Sequence, residues 1–254
     1  MSGRPDRFFF VHLQKTAGTT LIKRFQRHFD ESVVYPNDSD GDIVACVISV
    51  EHLLERWRAR GREIRFVSGH FPLCTTELLG GDFATLTVLR EPVERTLSYL
   101  RHHRKVTPAD RDASLEAVYE DSFRFHGLVH NHMVKMFSLT LEEMTAGALT
   151  RVDFTEERLE RAKQRLAGID ALGLQEHFEE FCADLTGRLG WSLDKPQRMN
   201  YTEPCEVSDA FRARIAEDNA MDVELYRFAQ QLYEQRAIAA ADGVAPDALA
   251  LKRV

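Results

Sequence analysis

Phe8-Phe9-Phe10-Val11-His12-Leu13-Gln14-Lys15-Thr16-Ala17-Gly18-Thr19-Thr20 is the stretch that decides the fold. Its apolar run, Phe8 to Leu13, is preceded by charge and reads as a buried strand. A small-residue loop containing Gly18 follows. From Thr19 to Phe29, the residues Leu21, Ile22, Phe25 and Phe29 recur at helical spacing. A strand, a tight loop and a helix start leave free N–H groups pointing outward, and the helix dipole adds positive potential. Lys15 adds a full charge, and Thr16, Thr19 and Thr20 add hydroxyl donors. The plain alternative is a polar turn with a threonine cap. A lysine in that turn opposes the dipole unless an anion lies between them, so the stretch points to a phosphate or phosphosulfate. It is not a Walker A loop, whose lysine follows the second glycine. Lys15 precedes Gly18, no glycine lies five residues before it, and the Mg²⁺-holding arrangement of that loop is missing.

Outward from this stretch, strand patterns recur at Ile64–Val67, Ala84–Leu89 and Ala171–Leu174. Helical patterns cover Glu51–Arg60, ended by Gly61, and Pro92 to about His103, where Pro92 suits the first turn. Ala45–Val50 is ambiguous. Ala113 to Leu166 reads mostly as helices, with starts at Thr140-x-x-Glu143 and Thr155. Glu176–Leu189 is amphipathic, Asp194–Glu206 reads as a long loop, and Ser208 to about Ala240 is helical. Strands alternating with helices predict an α/β domain: a P-loop-like three-layer unit with a central parallel sheet flanked by helices. Ligands in such folds bind outside the carboxyl ends of the strands. The expected organisation is one domain over residues 1–240 and a loose tail over 241–254.

The chain has 254 residues, 44% of them hydrophobic and 29% charged, and a net charge of −7. These values fit a soluble globular protein rather than a disordered one. The acidic balance points away from DNA or RNA as a partner but leaves room for a local basic groove. Cys46, Cys74, Cys182 and Cys205 have no metal-site spacing and read as reduced thiols in a cytoplasmic protein, so no metal is expected. The run from Phe8 to Val11 is too short for a secretory signal or a membrane span.

A second chemical segment lies at the end of the Ala84–Leu89 strand: Leu89-Arg90-Glu91-Pro92-Val93-Glu94-Arg95-Thr96-Leu97-Ser98. Arg90 suits bidentate contact with a phosphate, and Ser98, about two turns into the helix, adds a hydroxyl. The plain alternative is a surface arginine paired with Glu91 or Glu94. Taken with the Lys15 loop, the segment resembles the sulfotransferases that use 3′-phosphoadenosine-5′-phosphosulfate (PAPS). The loop is similar to their 5′-phosphosulfate loop, K-T-[AG]-[GS]-T-[ST]. Leu89, Arg90, Glu91, Pro92, Arg95 and Ser98 are similar to their 3′-phosphate motif, [LV]-R-[DE]-P-x-x-R-x-x-S. Weaker similarities appear at Gly173-Leu174-Gln175-Glu176-His177-Phe178 and at Asn219, Asp222, Glu224, Leu225 and Tyr226. Gln14 departs from the proline that many relatives carry.

The resemblance implies that Lys15, Thr16, Ala17, Gly18, Thr19 and Thr20 hold the phosphosulfate, and that Arg90 and Ser98 hold the 3′-phosphate. Ser68-Gly69-His70-Phe71-Pro72 follows a strand end. Histidine is the side chain best matched to accept a hydroxyl proton near neutral pH. The segment is similar to the loop that carries the catalytic base in uronyl-type 2-O-sulfotransferases. This gives an enzyme with His70 as general base and Lys15 at the leaving group, releasing the nucleotide product PAP. His12 reads as a core or supporting residue. His130, His132 and Lys135 lie in a segment similar to the family's acceptor region, with Val134 replacing its usual threonine. The acceptor is a carbohydrate, lipid or small natural product. Tyr119, Phe123 and Phe125 fit either an apolar acceptor site or helix core, and periodicity favours core. The rival reading, an ATP-dependent P-loop small-molecule kinase or nucleotide hydrolase, suffers from the misplaced lysine. A non-catalytic nucleotide-binding module is a further rival. The oligomeric state is left open by the sequence.

Overall fold

The computed structural model describes residues 6–80, 82–193 and 206–241. Among the described residues, five strands form one sheet: β1 (Phe8–Val11), β2 (Val34–Tyr35), β3 (Phe66–Gly69), β4 (Ala84–Leu89) and β5 (Ala171–Leu174). Among the described residues, twelve α-helices are interleaved: α1 (Gly18–His28), α2 (Ile43–Ile48), α3 (Val50–Arg60), α4 (Thr75–Leu78), α5 (Pro92–Val106) and α6 (Leu115–Glu120), followed by α7 (Ser122–Arg124), α8 (His132–Ser138), α9 (Glu156–Ala167), α10 (Phe178–Leu189), α11 (Asp209–Asp218) and α12 (Ala220–Ala241). The expected loop over 194–206 lies outside the described residues except for Glu206, as do Cys205 and the tail beyond 241.

The strand order is β2-β3-β1-β4-β5, and every pairing is parallel. β1 is central, with Phe8 to Val11 in register with Phe66 to Gly69 on one side and with Ala84 to Thr87 on the other. Because side chains alternate along a strand, β1 buries both faces. Phe8 and Phe10 pack with Leu21 and Phe25 of α1 and with Phe181 and Leu185 of α10. Phe9 and Val11 face the opposite layer, which holds Leu53 of α3, Met133 and Phe137 of α8, Leu159 and Leu166 of α9, and Leu225 of α12. That is the three-layer α/β architecture the alternation predicts. Arg24 of α1 donates to both carboxylate oxygens of Glu179 on α10, at 3.1 and 2.7 Å, and ties the first layer together.

α5 packs in a third apolar cluster, where Val93, Leu97 and Leu100 meet Leu115 and Val118 of α6 and Phe211 and Ile215 of α11. Two expectations need correction. Thr140 and Glu143 exchange backbone-to-side-chain hydrogen bonds at 3.1 and 3.4 Å, but the segment makes a turn, not a helix. The strand expected at Ile64–Val67 runs from Phe66 to Gly69, because pairing with β1 sets its register. Among the described residues no helix is long and apolar enough to cross a membrane.

Candidate functional site

The carboxyl ends of β1, β3, β4 and β5 open into one cavity of about 720 Å³. From the sheet side it is lined by His12, Gln14, Lys15, Ala17, Gly18, Thr19 and Thr20 after β1, His70 after β3, Arg90 after β4 and Gln175 after β5. The outer wall comes from Ser98, Tyr99, His102, His103 and Val106 of α5, and from Phe123, Arg124 and Leu128.

The β1 loop has the backbone of an anion cradle. Lys15 and Ala17 are both left-handed, at φ 70° and 68°. For residues with a side chain this conformation costs roughly 1–2 kcal/mol each. Alternating turns of this kind aim successive N–H groups into a common concavity. α1 then starts at Gly18 with no side-chain cap and no acidic residue in its first turn. The contrast with α5 is direct: there Glu91 caps the helix, accepting from the N–H groups of Val93 and Glu94 at 3.0 and 2.7 Å. Thr16 points inward. It is buried between the two left-handed residues, its hydroxyl donates to the Leu13 carbonyl at 3.0 Å, and it does not line the cavity.

Arg90 joins the two sequence segments. Its Nη1 donates to the Lys15 carbonyl at 3.2 Å, its Nη2 lies 3.9 Å from Glu94, and its buried Nε has no hydrogen-bond partner among the described residues. Ser98 lies two turns along α5 and lines the same cavity. Arg95, fully buried, donates to the carbonyls of Leu128 and Val129 at 3.3 and 3.1 Å and so holds the outer wall.

His70 is half-buried at the end of β3, where its Nδ1 donates to the His12 carbonyl at 2.8 Å. A carbonyl only accepts, so this bond puts the proton on Nδ1 and leaves the lone pair on Nε2. Burial pushes the imidazole below its ordinary pKa, which favours that neutral form. The His12 ring lies 4.5 Å from the His70 ring and stacks on Phe10 at 5.3 Å.

Among the described residues, no aspartate or glutamate lines the cavity. Burial, and then the nearby Arg90, lower the Lys15 ammonium. Burial, His70 and Lys15 lower His12 well below 6.5, and burial followed by Lys15 lowers His102. The positive groups at the sheet side therefore crowd one another. The outer wall differs: Arg124 and His103 share Asp110 at 2.7 and 2.9 Å.

His130, His132 and Lys135 are not part of the cavity wall. His130 stacks on Phe125 at 5.0 Å, and His132 is buried on α8 with no partner for Nδ1 among the described residues. Lys135 is fully buried and donates to the carbonyls of His126 and Gly127 at 3.2 and 2.7 Å; burial pulls it down to about 7. The aromatic stretch divides: Tyr119 and Phe125 join the α5 cluster, whereas Phe123 is 59% exposed and lines the cavity. Among residues the sequence did not single out, His102 had a readable signal. It sits one turn after Ser98 on the same face of α5.

No family model matches this chain, and no curated protein matches it. Among solved structures it is similar to a sulfotransferase from Alicyclobacillus acidocaldarius, with 16% sequence identity, a TM-score of 0.47, and coverage of 88% of this chain and 94% of that one.

Proposed function

We propose that this protein is a sulfotransferase that moves the sulfuryl group of PAPS to an acceptor hydroxyl. The observation that carries the reading is the convergence of the Lys15 loop, His70, and Arg90 with Ser98 on one cavity, whose wall holds no carboxylate among the described residues. A donor with a phosphosulfate at one end and a phosphate at the other matches two separated cationic anchors. Lys15 and the N–H groups of the Ala17–Thr20 turn hold the phosphosulfate. Arg90 and Ser98 hold the 3′-phosphate. The buried, unpartnered Nε of Arg90 is a donor that such an anion satisfies.

The acceptor oxygen attacks sulfur as the bond from sulfur to the bridging oxygen of the 5′-phosphate breaks. The hydroxyl proton passes to His70 Nε2. The bridging oxygen leaves on PAP, its growing charge met by the Lys15 ammonium. Lys15 acts most strongly in the transition state, where that charge appears. The test is turnover of PAPS by His70→Ala. Loss of general-base catalysis lowers kcat by roughly 10²–10⁴-fold while PAP affinity stays at the wild-type value. A full rate in His70→Ala contradicts the assignment of the base.

A further inference from the structure

The outer wall of the cavity is chemically unlike the sheet side. Val106 and Phe123 are 57% and 59% exposed, and both line the cavity. Leu128 stands with them, half-buried. Ser98, His102 and Val106 follow at four-residue intervals, so one face of α5 runs from the phosphate anchor to this apolar lip. Eight residues of helix cover about 12 Å.

We infer that the acceptor is an uncharged alcohol or phenol carried on an apolar body, which rests on Val106, Phe123 and Leu128 while its hydroxyl reaches His70; this rests on the sulfuryl-transfer reading above. Two observations argue against the other acceptor chemistries, and a third favours this one. A uronate needs an unpaired cation beside it, and on this wall Arg124 and His103 already share Asp110. A neutral sugar needs hydrogen-bond acceptors for its ring hydroxyls, yet among the described residues no carboxylate lines the cavity and its two glutamines, Gln14 and Gln175, stand on the sheet side. An apolar body instead covers the surface that Val106 and Phe123 now expose to water. His102, lowered by burial and by the neighbouring charge of Lys15, adds no lasting positive charge there.

The test is a calorimetric titration of 2-naphthol, and separately of a glucuronate-containing disaccharide, into the protein saturated with PAP. The wild type is expected to bind 2-naphthol at least tenfold more tightly than the disaccharide. Phe123→Ser is expected to weaken 2-naphthol at least tenfold and leave PAP affinity unchanged; Val106→Ser is expected to act in the same direction. Both positions are exposed, so neither change removes core packing. PAP binding without 2-naphthol binding overturns the inference. So does tighter binding of the disaccharide, and so does a loss of PAP affinity in Phe123→Ser, which would make the lip the adenine seat. Failure of the wild type to bind PAP at all instead overturns the donor reading, and is seen in the saturation step before any acceptor is added.

Discussion

The imidazole of His12 occupies the volume that a side chain at position 18 would need. A Cβ there would lie 2.0 Å from His12 Cδ2 and 2.1 Å from Nε2. Gly18 therefore lets β1 and the start of α1 approach closely enough for the His12 ring to pack beneath the loop. The prediction is that Gly18→Ala destabilises the protein by about 1–3 kcal/mol, the usual cost of overpacking. It should also weaken PAP binding, because the displaced ring supports the cradle. Thermal unfolding and calorimetry measure both, and an unchanged melting temperature contradicts the packing argument. Gly18, Lys15, His70 and Arg90 were legible in the sequence because each sits next to a strand end, where local pattern and ligand chemistry coincide. The inward turn of Thr16 was not, since it depends on the left-handed residues on either side. His12 was read as a supporting residue, and it does support His70 through its carbonyl, but its place in the cavity wall depends on three strand ends meeting.

At the scale of elements, α8 and α12 are locked by a buried polar exchange. Asp222 accepts from the N–H groups of Met133 and Val134 at 3.1 and 2.8 Å, which caps α8. Asn219 accepts from the Asn131 N–H at 2.8 Å, and Asn131 in turn accepts from the Asp222 N–H at 3.0 Å. Asn131 is left-handed at φ 44°, a conformation its short amide tolerates better than most side chains do. Burial pushes the Asp222 carboxyl up to about 6, against the pull of Arg95. Asp222→Ala strips the cap and leaves Arg95 and Lys135 buried without their counter-charge, so a loss of about 3–5 kcal/mol is expected from chemical denaturation. A loss below about 1 kcal/mol contradicts the cap's role, that being the ordinary worth of an exposed pair. Long elements such as β4, α3 and α10 were readable from their periodicity. β2 was not, because two residues, Val34 and Tyr35, carry no period. The stretch from Ala113 to Leu166 was read as mostly helical without its breaks at Asp121 and Asn131; Asp121 caps α7 locally, accepting from the Arg124 N–H at 2.9 Å, whereas Asn131 is held by Asn219 and Asp222, distant in sequence.

Over the whole molecule, a chain of net charge −7 places no carboxylate among the described residues that line this cleft. Burial of titratable groups makes stability depend on pH. His12, His70 and His132 are each lowered from 6.5, chiefly by burial, so the unfolded chain takes up their protons first as pH falls. Stability from these groups is fully present above about 6.5 and declines below it, by at most roughly 1.4 kcal/mol per pH unit for each histidine until its folded pKa is reached. Asp222 acts in the opposite direction below about 6, since its folded carboxyl keeps a proton that the unfolded one gives up. The melting temperature is therefore expected to fall between pH 7 and 6, and a rise over that interval contradicts the burial of neutral histidines. The parallel sheet and its strand-end cavity were foreseeable from alternation and from the first twenty residues; the apolar lip of the outer wall was not, because Phe123 reaches it from a three-residue helix. The measurement that tests the central claim most directly is calorimetric binding of PAP to the wild type and to Arg90→Ala, with ATP as control. The account predicts micromolar PAP binding, weaker ATP binding and loss of PAP affinity in Arg90→Ala; a folded wild type that does not bind PAP contradicts it.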